Sequence, residues 1–561
     1  MITSRITGLR HGNRRGAPGA FGSFLILLTI VLPQIAAQEL LVEPEEITAQ
    51  LVPLEAVLEG LPPLPEPGLA SEDWEPSEVE FAESGTIPEP PMIVDRAVES
   101  VPVEGDQLFF TAGLGAASVQ SVLGDIGLYR ITDDTRFELS YEHRSADGFA
   151  FNDPGGGFFV QQNRLGADLS MEIGERSSGG IEAHYLDLRR GLQKLSPNYS
   201  VENRRVDTTV RFDHALDERS TLRFVGFFSH DRRLLTDLRS DAFGVASPPT
   251  VERDRDEMFS RITPELGFRI EWPRFALDTG VRYDARVNEA EGFPTVSRVE
   301  GSLALEGVLA AGLTLRATGT GAYRLDDGVY FPVEGSLEYR GAEQWSLTLA
   351  GGVRYTEASP VELWDRYRTL GVPAEEEPPG MQQRLFARVG LEVALLPERL
   401  TLTGETIWSD RRDRLVVGAF DLTEGYYPVG YADQEELDFV AGATLTFTPW
   451  LLLDLGWTSR TQDRPVGVAA NDASLALRLE REQLGATLSA TAPVDGEIAT
   501  PRIDVESVFT LTENLELELF ARDLLAPTFE DGRGLGGAEP TVEDPFIQEG
   551  LEIGALLRIS Y

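Results

Sequence analysis

The 561-residue chain contains no cysteine, which excludes a disulfide framework, a lipid-modified cysteine and thiolate metal sites. Lysine is nearly absent: Lys194 stands alone among 49 basic side chains. Histidine is scarce too, and His11, His143, His184, His214 and His230 show no His-x-His or His-Glu-x-x-His spacing for a metal. No Gly-x-Ser-x-Gly elbow and no convergent acid–base set is visible, so neither catalysis nor a cofactor is expected. Positive charge is in deficit, with 92 acidic residues setting the formal charge at −43. That excludes nucleic acid as a partner, because no basic patch is there to neutralise phosphates. Long hydrophobic runs are also lacking. The best, Phe24 to Leu32, is too short for a membrane helix, which needs about 20 apolar residues.

What is present begins with an export signal. Arg5, Arg10, Arg14 and Arg15 form a basic region ahead of that apolar run, and Ala36-Ala37 offers a cleavage site before Gln38. Residues 1–37 are therefore expected to be a signal peptide. The stretch 38–105 holds eleven of the 34 prolines and seventeen acidic residues against one basic residue, Arg96. Proline removes ladder and helix donors and like charges repel, so a disordered, extended segment is expected there.

From Asp106 the texture changes to alternation. Leu437, Phe439, Ala441, Ala443, Leu445 and Phe447 share one face. Thr448-Pro449-Trp450 then turns the chain, and Leu451, Leu453, Leu455 and Trp457 return on that face, opposite Asp454 and Arg460. Val281, Tyr283, Ala285 and Val287 alternate with Arg282, Asp284 and Arg286. Leu515, Leu517, Leu519 and Ala521 alternate with Glu516, Glu518, Phe520 and Arg522. Tight turns read near Asp133, Glu175, Asp217, Pro273, Gly312, Glu343, Pro397, Pro449, Glu482 and Glu513. Ten turns and two termini on one side require about 22 strands, and the fold class read for 106–561 is an all-β transmembrane antiparallel barrel. Longer polar connections at 146–159, 236–254, 358–379, 412–433 and 526–547 suit the opposite rim. Trp345, Trp408, Trp450, Trp457, Tyr283, Tyr355 and Tyr561 fall near strand ends, as interfacial aromatics do.

The final strand is the most telling. Tyr561, Ile559, Leu557, Ala555 and Ile553 form an alternating row that ends on an aromatic residue, separated by Ser560, Arg558, Gly554 and Glu552. It resembles the C-terminal insertion signal of bacterial outer-membrane barrels, which implies the barrel-assembly machinery, membrane lipid and lipopolysaccharide as partners. The last two strands and the Thr448-Pro449-Trp450-Leu451 turn are similar to those of TonB-dependent receptors. In that family a folded plug precedes the barrel and carries a coupling box. Here the 68 residues from Gln38 to Gly105 read as unfolded, although Val42 to Ala49 resembles such a box, which pairs with its partner by strand addition. Contact with a periplasmic or plug protein through 38–105 is the expectation that follows.

The function expected is a plugless channel or transporter of the outer membrane, with a structural or adhesive surface protein of occluded lumen as the alternative. A secretion or assembly barrel calls for a folded domain ahead of the first strand. Something must close so wide a cylinder, and inward folding of 358–379 and 412–433 is expected to constrict its outer mouth. Arg282, Asp284, Arg286, Arg354, Asp454, Arg460, Arg478, Glu480, Glu516, Glu518, Arg522, Glu552 and Arg558 are expected on the lumen wall, where pairing neutralises most of them. Glu375-Glu376-Glu377 and Asp326-Asp327 read as solvated loop charge rather than calcium sites, and Gly534 to Gly537 as a loop rather than a phosphate cradle.

Overall fold

The computed structural model describes residues 107–561 except 119, 133, 149–151, 153, 239–254, 290–292, 294, 326–327, 342–343, 358, 372–380, 398, 462–469, 495–500, 526–545 and 547–549. The expected signal peptide, the acidic segment 38–105 with its box, and the runs at 326–327, 375–377 and 534–537 lie outside the described residues.

The strands in chain order begin with β1 (Gln107–Ala117), β2 (Ser121–Ile131), β3 (Thr135–Asp147), β4 (Phe159–Glu172), β5 (Ser177–Gly191) and β6 (Asn198–Ala215). Next come β7 (Ser220–Leu238), β8 (Arg255–Glu271), β9 (Phe275–Asn288), β10 (Val296–Ala310), β11 (Leu313–Arg324) and β12 (Gly328–Tyr330). They continue as β13 (Val333–Gly341), β14 (Trp345–Thr356), β15 (Gln382–Leu396), β16 (Leu400–Val417), β17 (Val429–Thr448) and β18 (Leu451–Thr461). The last are β19 (Asn471–Arg481), β20 (Leu484–Pro493), β21 (Arg502–Thr512), β22 (Leu515–Arg522) and β23 (Glu552–Ser560). Strands pair antiparallel in chain order, and β23 returns to β1. Both β12 and β13 pair with β11, and the break between them falls at Phe331-Pro332, where proline has no N–H for the ladder. They are halves of one staple of the wall, which therefore closes with 22 strands.

Closure is sealed at the chain end. Phe110 and Tyr561 exchange both backbone hydrogen bonds at 2.8 Å. Ile559 then faces Ala112, Leu557 faces Leu114 and Ala555 faces Ala116. All ten expected tight turns separate the strand pairs anticipated for them, and Gln107 and Tyr561 sit at the same end as those turns. Two readings needed correction. The segment 412–433 is half strand, because β16 runs to Val417 and β17 starts at Val429, so the connection proper is 418–428. In β23, Leu556 breaks the simple apolar/polar alternation: it turns inward at 8 % exposure opposite Gly115, filling space that a side chain there would have taken.

Alternation divides the wall into two faces. On β9 Val281 is 60 % exposed while Asp284 between its apolar neighbours is 1 % exposed. Large apolar residues such as Leu114, Leu266, Leu303, Val333 and Ile553 stand uncovered on the outward face, a surface that hydrocarbon satisfies and water does not. Trp272, Tyr339, Trp345, Phe447, Trp450 and Tyr561 are exposed beside the tight turns, and Tyr141, Phe228, Tyr283, Tyr323 and Trp457 are exposed further along. These two belts bracket the apolar zone as interfacial girdles do. A strand crosses a bilayer in about 9–11 residues. With 18, 19, 18 and 20 residues, β6, β7, β16 and β17 run well past that length at the end away from the turns.

The facing predicts an asymmetry between neighbouring sites. Leu303→Arg, on the outward face, should cost about 2–4 kcal/mol, the penalty for a cation near the bilayer midplane. Thr318→Arg, in register with Ala304 on the inward face, should stay within about 0.5 kcal/mol. Urea titration of protein refolded into lipid vesicles measures both, and equal costs contradict the facing.

Candidate functional site

Beyond Thr356 the chain turns into the barrel instead of rising from its rim. Pro360 starts the helix α1 (Val361–Arg366), with φ −68° already suited to a first turn. The amides of Leu363 and Trp364 donate to the Pro360 carbonyl, both at 3.0 Å. Six residues are too few for a helix to persist in water, and its terminal carbonyls have no partners within it. Wall residues supply them. Arg190 on β5 donates to the carbonyls of Trp364 and Asp365, each at 3.1 Å. Asn203 on β6 adds a bond to Trp364 at 3.0 Å. Arg233 on β7 donates to Arg368 at 2.7 Å and to Tyr367 at 3.3 Å, and Arg255 on β8 to Leu370 at 3.1 Å. In return Arg368 donates to the Gly191 carbonyl at 3.0 Å.

A second connection joins it. Residues 418–428 link β16 and β17, and an Asx turn folds them, with the Thr423 and Glu424 amides donating to the Asp421 carboxylate at 2.8 and 3.1 Å. Burial, then the Glu424 and Asp421 carboxylates, push the Tyr426 hydroxyl up from its ordinary range. Gly371 donates to Tyr427 at 2.8 Å, and Tyr427 donates to Thr369 at 3.3 Å, so the two loops are hydrogen-bonded to each other. Their aromatics interlock: Tyr427 lies 4.9 Å from both Tyr367 and Phe420, and Phe420 lies 5.4 Å from Phe546 of a third connection. Arg233 stacks over Trp364 and Arg368 over Phe546. Leu192, Val201, Leu235, Phe259 and Val429 complete the buried cluster from the wall. Each buried aliphatic or aromatic side chain contributes about 1.5–3 kcal/mol. The chain thus builds a knot inside the far mouth, from the loops expected to turn inward.

The wall beneath the knot is an ion-pair lattice. Asp284, with no side-chain exposure, takes Arg261 and Arg286 at 3.0 Å and Arg298 at 3.3 Å. Arg286 and Arg298 also hold Glu357, at 3.0 and 3.3 Å, which ties the first residue of the inward loop to β9 and β10. Arg282 reaches Glu300 at 2.6 Å. Asp454 meets Arg478 at 3.6 Å, Arg522 meets Glu552 at 2.9 Å, and Arg558 meets Glu518 at 3.8 Å and Asp125 at 3.2 Å. Arg354 pairs with Glu334 at 2.6 Å and Arg460 with Asp472 at 2.6 Å, partners that sequence spacing did not name. Glu480 and Glu516 lie in register with Gly485 and Arg558 on the same face. Arg190, Asn203, Arg233, Arg255 and Glu357 were not singled out from sequence. The one legible signal of the four strand residues was their place in the same alternating register, which many residues share, and Glu357, past the end of β14, carried none. Among the described residues no three His, Asp or Glu converge to hold a metal.

No protein-family model matches the chain, and no curated protein matches it in sequence. Solved structures do match. A double mutant of the ferric enterobactin receptor from Pseudomonas aeruginosa superposes with TM-score 0.61 at 11% identity, covering 82% of this chain and 81% of that one. A siderophore receptor from Acinetobacter baumannii gives 0.59 at 9% identity, over 81% and 80%. An iron transporter from Neisseria meningitidis gives 0.61 at 10% identity, over 81% of each chain. In fold, this is a barrel of the TonB-dependent receptor type. At such identities the likeness speaks for architecture and leaves solute and coupling to other arguments.

The tie at Glu357 yields a test. Its side chain is 3% exposed and those of Arg298 and Arg286 are 5% and 12% exposed. Removing one partner of a buried pair costs about 3–5 kcal/mol. Glu357→Gln should therefore free the loop while the barrel stays folded, so that trypsin cuts after Arg366 and Arg368 at least tenfold faster. Unchanged cleavage would show that Glu357 does not hold the knot.

Proposed function

We propose that this protein is an outer-membrane channel or transporter whose own loops constrict the pathway. The observation that carries it is the knot itself. A 22-stranded cylinder is wide enough to need filling, and residues 359–371 and 418–428 fold against its inner wall at one end. The paired charges along the rest of that wall make it wettable without a large net field, which suits a lumen that holds water and solute. Tight turns and both barrel ends would face the periplasm, and the long connections would face outward. The segment 38–105 would then hang in the periplasm, free to meet a plug or coupling protein, and lipopolysaccharide would surround the outer rim. The similar structures are of receptors and transporters, which supports a solute-handling role over catalysis.

A structural or adhesive surface protein is the second reading, and the same knot favours it: a sealed barrel would serve as a rigid stand for outward loops. Conductance in planar bilayers separates the two. The intact chain should show small or rare openings, and replacing 359–371 by a short Gly-Ser bridge should raise unit conductance several-fold. Wide steady pores in the intact chain would sink the constriction. Seals that persist after the deletion would favour the structural role.

A further inference from the structure

The inner wall carries a cation that no described residue engages in a hydrogen bond or ion pair. Arg354 on β14, Arg384 on β15 and Arg411 on β16 stand directly opposite one another in register. Like charges so placed on neighbouring strands repel. Two of the three have a local remedy. Both Nε and Nη2 of Arg354 donate to Glu334, each at 2.6 Å. Arg411 pairs with Glu436 at 2.8 Å, and Arg414 shares that carboxylate. Arg384, between them, makes no hydrogen bond or ion pair with any described residue, and its Nε is buried without an acceptor. Its one contact of note is with the Phe386 ring, 5.7 Å away, over which Arg354 also lies at 4.8 Å. That shared ring holds two guanidinium groups side by side. In a chain with 92 acidic and 49 basic residues, carboxylates are plentiful, so a partly exposed inner-wall arginine that no carboxylate of the described residues reaches directly stands apart from its neighbours.

We infer that Arg384, flanked by Arg354 and Arg411, is a binding site for a solute oxyanion, a phosphate or carboxylate group entering from the lumen. The chemistry follows from the residue. A guanidinium presents a planar fork that matches two oxygens of such a group, and bonds to a charged acceptor are about twice as strong as neutral ones. An anion here would also relieve the repulsion along the row, so occupancy and stability are linked. Sulfate fits the same geometry, whereas chloride offers a single atom where the fork matches two oxygens. The inference rests on the solute-handling reading for its purpose, but binding itself needs no flux.

Equilibrium titration of the folded full chain in detergent tests it, with inorganic phosphate in one series and citrate in another, at fixed ionic strength set by sodium chloride. The intact chain should bind and should gain Tm with either anion beyond the chloride control. Arg384→Gln should weaken binding at least tenfold, Arg384→Lys should keep part of it, and Arg316→Gln, on the same face and paired with Glu306 at 3.1 Å, should leave it unchanged. Without added oxyanion the Arg384→Gln protein should melt no lower than the parent, because a repelled charge has been removed; a merely structural arginine would lower it. Binding of phosphate alone narrows the ligand to phosphates. No anion effect on the intact chain, or equal binding by the Gln variant, overturns the site. Binding retained while liposomes pass no solute would sink the channel reading and leave the site standing.

Discussion

Hydrocarbon offers no hydrogen bonds, so every backbone group of a membrane-crossing segment must find its partner within the chain. That constraint is met here at one seam. If β1 and β23 did not join, both would be open edges in lipid, and each unpaired N–H or C=O would cost several kcal/mol. The seam also explains two glycines. Gly113 lies opposite Asp125 on one side and Arg558 on the other. A Cβ there would come within 2.2 Å of the Asp125 carboxylate. Its absence lets that carboxylate reach across β1 to Arg558 at 3.2 and 3.3 Å. At Gly115 a Cβ would meet the Ala555 carbonyl at 2.3 Å. The closing strand thus depends on bare backbone where the sheet joins itself.

Closure in turn decides where polar groups go. Outward positions belong to hydrocarbon, which leaves the inner wall and the rims for charge. On the inner wall, arginine is the cation almost throughout, and the fork of its guanidinium is used in two ways. In the ion-pair lattice it bridges carboxylates of separate segments, as Arg298 does between Asp284 on β9 and Glu357 of the inward loop. Under the knot it collects pairs of carbonyls, as Arg190 and Arg233 do at the end of α1. A lysine, with a single ammonium point, could not clasp two adjacent carbonyls in a fixed plane. The abundance of arginine, whatever its origin in composition, is exploited by this loop.

The knot also shows how a short irregular segment is held inside a barrel. Backbone away from regular structure is tolerated at membrane depth or within a lumen only when other groups satisfy it. Residues 359–371 meet that demand through wall side chains and through bonds of Thr369 and Gly371 to Tyr427 between loops. Trp364, Tyr367, Phe420, Tyr427 and Phe546 then pack together at its centre. Polar anchoring at the margin and aromatic packing in the middle act together, and the long strands β6 to β8, β16 and β17 provide the wall on which both rest.

The strands, their facing, the ten turns and the closing role of Leu551 to Tyr561 were determined by the sequence alone. Period-two alternation is a local property, and residues such as Pro449 and Gly312 announce turns within a few positions. The inward bias of the long loops followed from the width of a 22-stranded cylinder. Only the tertiary structure decided which charges meet. Arg282 sits beside Asp284 in sequence but pairs with Glu300 across strands, and Arg354 chooses Glu334. It also decided that Arg190, Arg233 and Arg255 serve one loop from three strands. The physical reason is reach. Alternation is written in neighbours along the chain, whereas ion pairs and loop anchors depend on register between segments 20 to 174 residues apart, as Arg354–Glu334 and Arg190–Trp364 are, and closure of the whole cylinder sets that register.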